Sequence, residues 1–154
     1  MIQLQTAGAT LEWGPSWFTG NDVIDADHKM LVMYVNDLNT AMLEGKGNDV
    51  AADILTKLVN YTRDHFAREQ IIWDQGGLES LPQHIKTHDD LVAKVVAFQQ
   101  EFISGKAALT GDLMSFLRQW LISHVFKTDK AGVAEIKARA AAKAAGQSPM
   151  RKAA

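Results

Sequence analysis

Three histidines and a glutamate fall inside one short region of this chain at helical spacing: His65 and Glu69 in "HFAREQ", and His84 and His88 in "HIKTH". Residues four apart on an α-helix share a face, with roughly 5–6 Å between their Cβ atoms, so each pair aims two donor groups the same way. Neutral imidazole and ionised carboxylate are donors for first-row transition metals. The chain has five histidines in all; the other two are His28 and His124, and Asp129 follows His124 by five residues. That interval is not a clean same-face spacing on a regular α-helix. It predicts a helix that loosens, bulges or ends between the two. With no cysteine present, disulfides, thiolate zinc sites, iron–sulfur clusters and cysteine nucleophiles are excluded. A metal here has to be held by nitrogen and oxygen.

The elements that must carry these donors are helices. Apolar residues recur at helical spacing in four stretches, and nothing alternates with period two for long. The first runs from about Asp25 to Glu44 with Leu31, Val35, Leu38 and Met42 on one stripe; Asp25 is its expected cap, with orientation of an imidazole as the alternative. The second, about Asp49 to Gln75, carries Ile54, Leu58, Tyr61, His65, Glu69 and Ile72 and stops at "GG". The third opens at Ser80 with Pro82 in its first turn and continues through His84, His88, Leu91, Val95, Phe98 and Phe102. The fourth, from Thr110 or Gly111, gives Leu113, Leu117, Trp120 and His124.

Short links make sequential helices antiparallel, so the expected fold is all-α: an up-down-up-down antiparallel four-helix bundle spanning residues 1–130. Residues 1–20 read as a non-helical N-terminal arm whose Trp13, Trp17 and Phe18 pack across the bundle. In such a bundle the start of the first helix, the end of the second, the start of the third and the end of the fourth lie together. All five histidines occupy those positions, each on its helix's apolar stripe, and Glu69 enters the same interior. Burying such a polar cluster without partners would be costly. The positions therefore predict a metal site built from His28, His65, Glu69, His84, His88, His124 and Asp129.

Seven protein donors exceed the four of a closed zinc site, and an imidazole-rich, near-octahedral set suits iron better than magnesium, calcium or manganese. Two iron ions fit the count. With Glu69 and Asp129 bridging and one oxo or hydroxo bridge added, an iron with three histidines has six ligands and one with two histidines has five. The vacancy on the second is a place for dioxygen, and the neutral ligand majority favours releasing O₂ over oxidising with it.

Charge limits the partners. The net charge is −2, but residues 130–154 carry Lys130, Lys137, Arg139, Lys143, Arg151 and Lys152 against Glu135, leaving an acidic body and a basic tail. An acidic body argues against nucleic acid as a partner. The Ala-rich segment 131–154 reads as a basic C-terminal extension with high helix propensity and little apolar surface to dock; it is the candidate contact for a protein partner. No apolar run is long enough for a membrane span and the first residues do not resemble a secretory signal, so the expected location is cytoplasmic. No phosphate-binding loop is present, since "GKGND" lacks the required pattern.

"HFARE", "HIKTH" and "HVFKTD" resemble the HxxxE, HxxxH and HxxxxD elements of hemerythrins, and "IDADHK" resembles the segment carrying their first histidine. Tryptophan on the arm and "FLRQWLISH" are similar to the bacterial branch, the bacteriohemerythrins. The resemblance covers about residues 11–130. It implies that His84, His88 and His124 bind a six-coordinate iron, that His28 and His65 bind an open one, and that Glu69 and Asp129 bridge. It also implies reversible O₂ binding by a protein that is not an enzyme, with Leu121 as a candidate wall of the O₂ cavity. Reduction of peroxide or nitric oxide at the same centre, or sensing through the C-terminal tail, stand as alternatives. Trp73 and Trp120 are expected to pack in the core or directly behind the ligands.

Overall fold

The computed structural model describes residues 10–106, 108 and 110–146. They form a four-helix bundle: α1 (Asp22–Leu43), α2 (Asn48–Gln75), α3 (Leu81–Ile103) and α4 (Gly111–Ser123). A π-helical segment, His124–Asp129, carries α4 without a break into a fifth helix, α5 (Lys130–Ala144). Links of a few residues reverse the chain between helices. Gly45, Gly77 and Gly105 adopt φ of 63°, 71° and 79° at the ends of α1, α2 and α3, a left-handed conformation that only glycine enters without steric cost.

Local chemistry explains where the helices begin. The cap of α1 is Asn21, whose side chain accepts from the Ile24 amide, and that of α4 is Thr110, which accepts from Leu113. Asp25 therefore does not cap α1, as its position suggests, and its hydrogen bonds go to the arm and not to an imidazole. Its carboxylate accepts from the Thr19 amide and hydroxyl and from the Gly20 amide, which ties the arm to the first turn of α1. Ser80 does sit at the start of α3, but its side chain makes no capping bond there.

The bundle core joins Leu31, Val35 and Leu38 of α1 to Leu55 and Leu58 of α2, Phe102 of α3 and Met114, Leu117 and Leu121 of α4. Burying an aliphatic side chain contributes roughly 1.5–3 kcal/mol each. The arm docks on this core. Asn36 accepts from the Leu11 amide and donates to its carbonyl, both at 2.8 Å, and Trp17 stacks on Trp13 and meets Phe126 edge-on. Within residues 10–20 the arm is not wholly extended, because Pro15–Trp17 make one 3-10 turn; its first nine residues lie outside the described part.

The segment after Asp129 differs from the sequence expectation. It is helical to Ala144 and it does dock: Gly132 and Val133 are buried, and Val133 and Ile136 join Ile24, Trp73 and Leu78 in a second apolar cluster. Three residues with small or branched side chains suffice because they meet one large indole. A Cβ on Gly132 would lie 2.0 Å from Trp73 Cζ2. Residues 147–154 lie outside the described part. No helix among the described residues is long and apolar enough to cross a membrane.

Candidate metal centre

All seven predicted donors meet at one end of the bundle. His28 comes from α1, His65 and Glu69 from α2, His84 and His88 from α3, and His124 and Asp129 from the two ends of the π segment. Each is buried, none exposing more than 4% of its surface.

Glu69 lies at the centre. Its Oε1 faces three imidazoles, at 2.7 Å from His84 Nε2, 3.3 Å from His88 Nε2 and 3.4 Å from His124 Nε2. Its Oε2 faces the other two, at 3.0 Å from His65 Nε2 and 3.8 Å from His28 Nε2. Asp129 spans the same division from the far side, with Oδ2 at 2.8 Å from His28 Nε2 and 3.0 Å from His124 Nε2. The donors thus separate into two sets able to hold an ion, Glu69 with His84, His88 and His124, and Glu69 with His28, His65 and Asp129.

These are short distances without hydrogen bonds. Among the described residues, eleven buried side-chain nitrogen and oxygen atoms have no hydrogen-bond partner, and all belong to these seven residues: every Nε2, all four carboxylate oxygens, and Nδ1 of His28 and His84. Orphaned buried polar atoms are rare in folded proteins. Metal–donor bonds of roughly 2.1 Å meeting at right angles place neighbouring donors about 3 Å apart, which is the spacing seen. The donor set fits a pair of metal ions.

Burial and charge pull against each other within the cluster. Burial opposes ionisation of Glu69 and Asp129, yet the surrounding imidazoles keep both carboxyls below their usual range. Burial likewise disfavours imidazolium, but Asp129 and Glu69 overcome it at His124, which is raised to about 10, and at His65 and His84. His88 goes the other way, down to about 4, because burial dominates and His124 and His84 lie beside it.

Aromatic rings and a polar shell back the donors. Phe66 lies flat on His88 with centroids 3.6 Å apart, Trp120 stacks on His124 at 5.5 Å, and Trp73 packs on His84 at 4.6 Å. Leu121 is fully buried one turn before His124. The polar shell is what residue spacing missed. Asp27, 5% exposed, lies 3.0 Å from His65 Nδ1 and accepts two bonds from Arg68 and one from Tyr61. Its carboxyl is held below its usual range despite burial, by His65, Arg68 and Tyr61. The Gln70 amide reaches His88 Nδ1 at 3.1 Å. One signal was available: Asp27 stands four residues before Leu31 on the apolar stripe of α1, where a carboxylate needs a reason.

Fold and site together define a four-helix bundle with a histidine- and carboxylate-lined interior able to hold metal. The comparisons place it more narrowly: residues 19–132 match the model of the hemerythrin HHE cation binding domain, and the chain belongs to the hemerythrin family. It is 32% identical over 124 residues to a bacteriohemerythrin of Pseudomonas aeruginosa, covering 80% of this chain and 79% of that one. It is 30% identical over 113 residues to a myohemerythrin of Riftia pachyptila, covering 73% and 82%. A crystal structure of wild-type hemerythrin superposes with a TM-score of 0.76 at 28% identity, covering 83% of this chain and 98% of that one.

Proposed function

We propose that this protein binds dioxygen reversibly, for storage, delivery or buffering, at a non-heme di-iron centre held by His28, His65, Glu69, His84, His88, His124 and Asp129. When bound there, a pair of ferrous ions supplies two reducing equivalents and an open coordination position for a small diatomic ligand. The carrying observation is the unequal partition around Glu69, with three imidazoles facing Oε1 and two facing Oε2. His28 and His65 leave one donor position unfilled that His84, His88 and His124 fill on their side.

The chain's other residues then isolate the position. Leu31, Leu121 and Phe66 are buried, Phe66 against the rings of His65, His88 and His124, and apolar burial of this kind would keep bulk water from protonating or displacing a bound ligand. Five neutral imidazoles against two carboxylates stabilise a high oxidation state less than a carboxylate-rich set would, which favours release of the ligand intact. The test is optical. The reduced, iron-loaded protein should gain a near-UV and visible absorption on oxygenation and lose it on deoxygenation, with two irons per chain by elemental analysis. Saturable turnover of peroxide or nitric oxide with a reductant would replace this reading with an enzymatic one.

A second reading has its own support. Asp129 ends the π segment and Lys130 begins α5 directly, so a change at the centre has a covalent route into the basic helix. In a sensor, oxygenation would alter how α5 meets a protein partner, and binding of that partner would differ between the deoxygenated and oxygenated forms.

A further inference from the structure

The two sides of the centre differ in what stands behind their histidines as well as in donor number. His65, on the two-histidine side, has its Nδ1 3.0 Å from the buried Asp27 carboxylate. His88, on the three-histidine side, has its Nδ1 3.1 Å from the neutral Gln70 amide. Nδ1 of His28 and of His84 has no partner among the described residues. With Nε2 of each ring turned into the cluster, Nδ1 carries the proton, so Asp27 accepts from His65; the Gln70 atom set against His88 Nδ1 is its amide nitrogen, and Gln70 accepts from that ring only with its amide turned over.

Asp27 is itself supported. Arg68 donates from Nε to Oδ2 and from NH2 to Oδ1, both at 2.8 Å, and Tyr61 donates to Oδ1 at 2.9 Å. The Arg68 guanidinium also lies over the Tyr61 ring at 5.5 Å, with the Arg68 side chain 41% exposed. A carboxylate accepting from a ligating imidazole pulls the Nδ1 proton toward itself and makes Nε2 a stronger donor, whereas an amide does so far less. The guanidinium draws charge off the carboxylate and moderates the effect.

We propose that Asp27 is a positioning residue that fixes the His65 tautomer and strengthens its donation, so that the two-histidine metal is the more electron-rich of the pair, with Arg68 setting how much of that charge His65 receives. This rests on the di-iron reading above. Gln70 is the neutral counterpart on the other side.

The test is chelator extraction of iron from the loaded protein, read together with its reduction potential. Asp27→Asn keeps an acceptor for His65 but removes the charge; it should speed release of one of the two ions by roughly 10- to 100-fold, leave the other unchanged, and raise the potential. Gln70→Leu should speed release of the other ion. Arg68→Gln keeps a donor to Asp27 but removes the positive charge, and it should slow release of the ion that Asp27→Asn frees and lower the potential. A merely structural role would move all three variants in one direction. Unchanged rates in Asp27→Asn, equal acceleration of both ions, or the same sign for Arg68→Gln and Asp27→Asn would each overturn the inference while two irons in the wild type leave the di-iron reading standing. A wild-type chain that retains no metal pair overturns both. If Asp27→Asn does not fold, the sign of the Arg68→Gln change decides.

Discussion

His124 Nε2 and Asp129 Oδ2 lie 3.0 Å apart although five residues separate them. The π segment between them makes this so: the Lys130 amide bonds back five residues to the Val125 carbonyl, and in that geometry a residue five positions on stacks above the first. One extra residue in the helix thus brings a second carboxylate to the centre.

Register changes in this segment test the arrangement directly. An alanine inserted between Thr128 and Asp129 turns the carboxylate by about 100° and should remove most bound metal by elemental analysis. Deleting the exposed Thr128 gives a four-residue spacing, which keeps one face on a plain α-helix. The deletion should retain more metal than the insertion.

Gly132 decides how closely α5 approaches the centre. Its absent side chain lets α5 rest on Trp73, whose indole also packs on His84. Gly132→Ala should destabilise the fold by about 1–3 kcal/mol through overpacking, lowering the melting temperature by roughly 2–10 °C for a chain of this size. Removing residues 131–154 should expose Trp73, seen as red-shifted fluorescence, and weaken metal retention at His84. A freely attached tail would do neither.

Metal competes with the proton on His124. In the metal-free protein that imidazole is raised from 6.5 to about 10, because Asp129 and Glu69 outweigh the cost of burial. Its protonated form therefore stabilises the metal-free fold fully below pH 6.5, and the contribution is lost as pH rises through about 10. Thermal melts of the metal-free protein should fall across that window, while those of the loaded protein stay level. Loading at about pH 8 should release roughly one proton or more, measured by calorimetry in two buffers of different ionisation enthalpy. His88, lowered to about 4, releases none there.

Leu121 joins packing to ligand protection. It is fully buried in the core one turn before His124, so Leu121→Ala should cost about 2–5 kcal/mol by leaving a cavity. If its side chain also walls the ligand pocket, as the family resemblance implies, the half-life of the oxygenated protein shortens as well. Denaturant melts and the decay of the visible band measure the two effects separately.

Residue order alone carries the four helices, their succession and the convergence of the histidines. Amphipathic periodicity fixes which face of a helix turns inward, and short links fix which ends lie together. His65, Glu69, His84 and His88 were legible because four-residue spacing places side chains on one face whatever surrounds them. The His124–Asp129 interval announced a departure from α-helix without saying which one. The remaining features exist only once the helices have packed. Asp27 meets His65 and Arg68 across two helices, a contact between residues 38 and 41 positions apart that no local period encodes. The docking of α5 depended on a glycine facing an indole, and a missing side chain gives no sequence signal until its neighbour is in place. Which oxygen of Glu69 faces three imidazoles and which faces two is likewise set by how the helices pack, because helical spacing gives a side chain its direction but leaves its partners to the assembled interior.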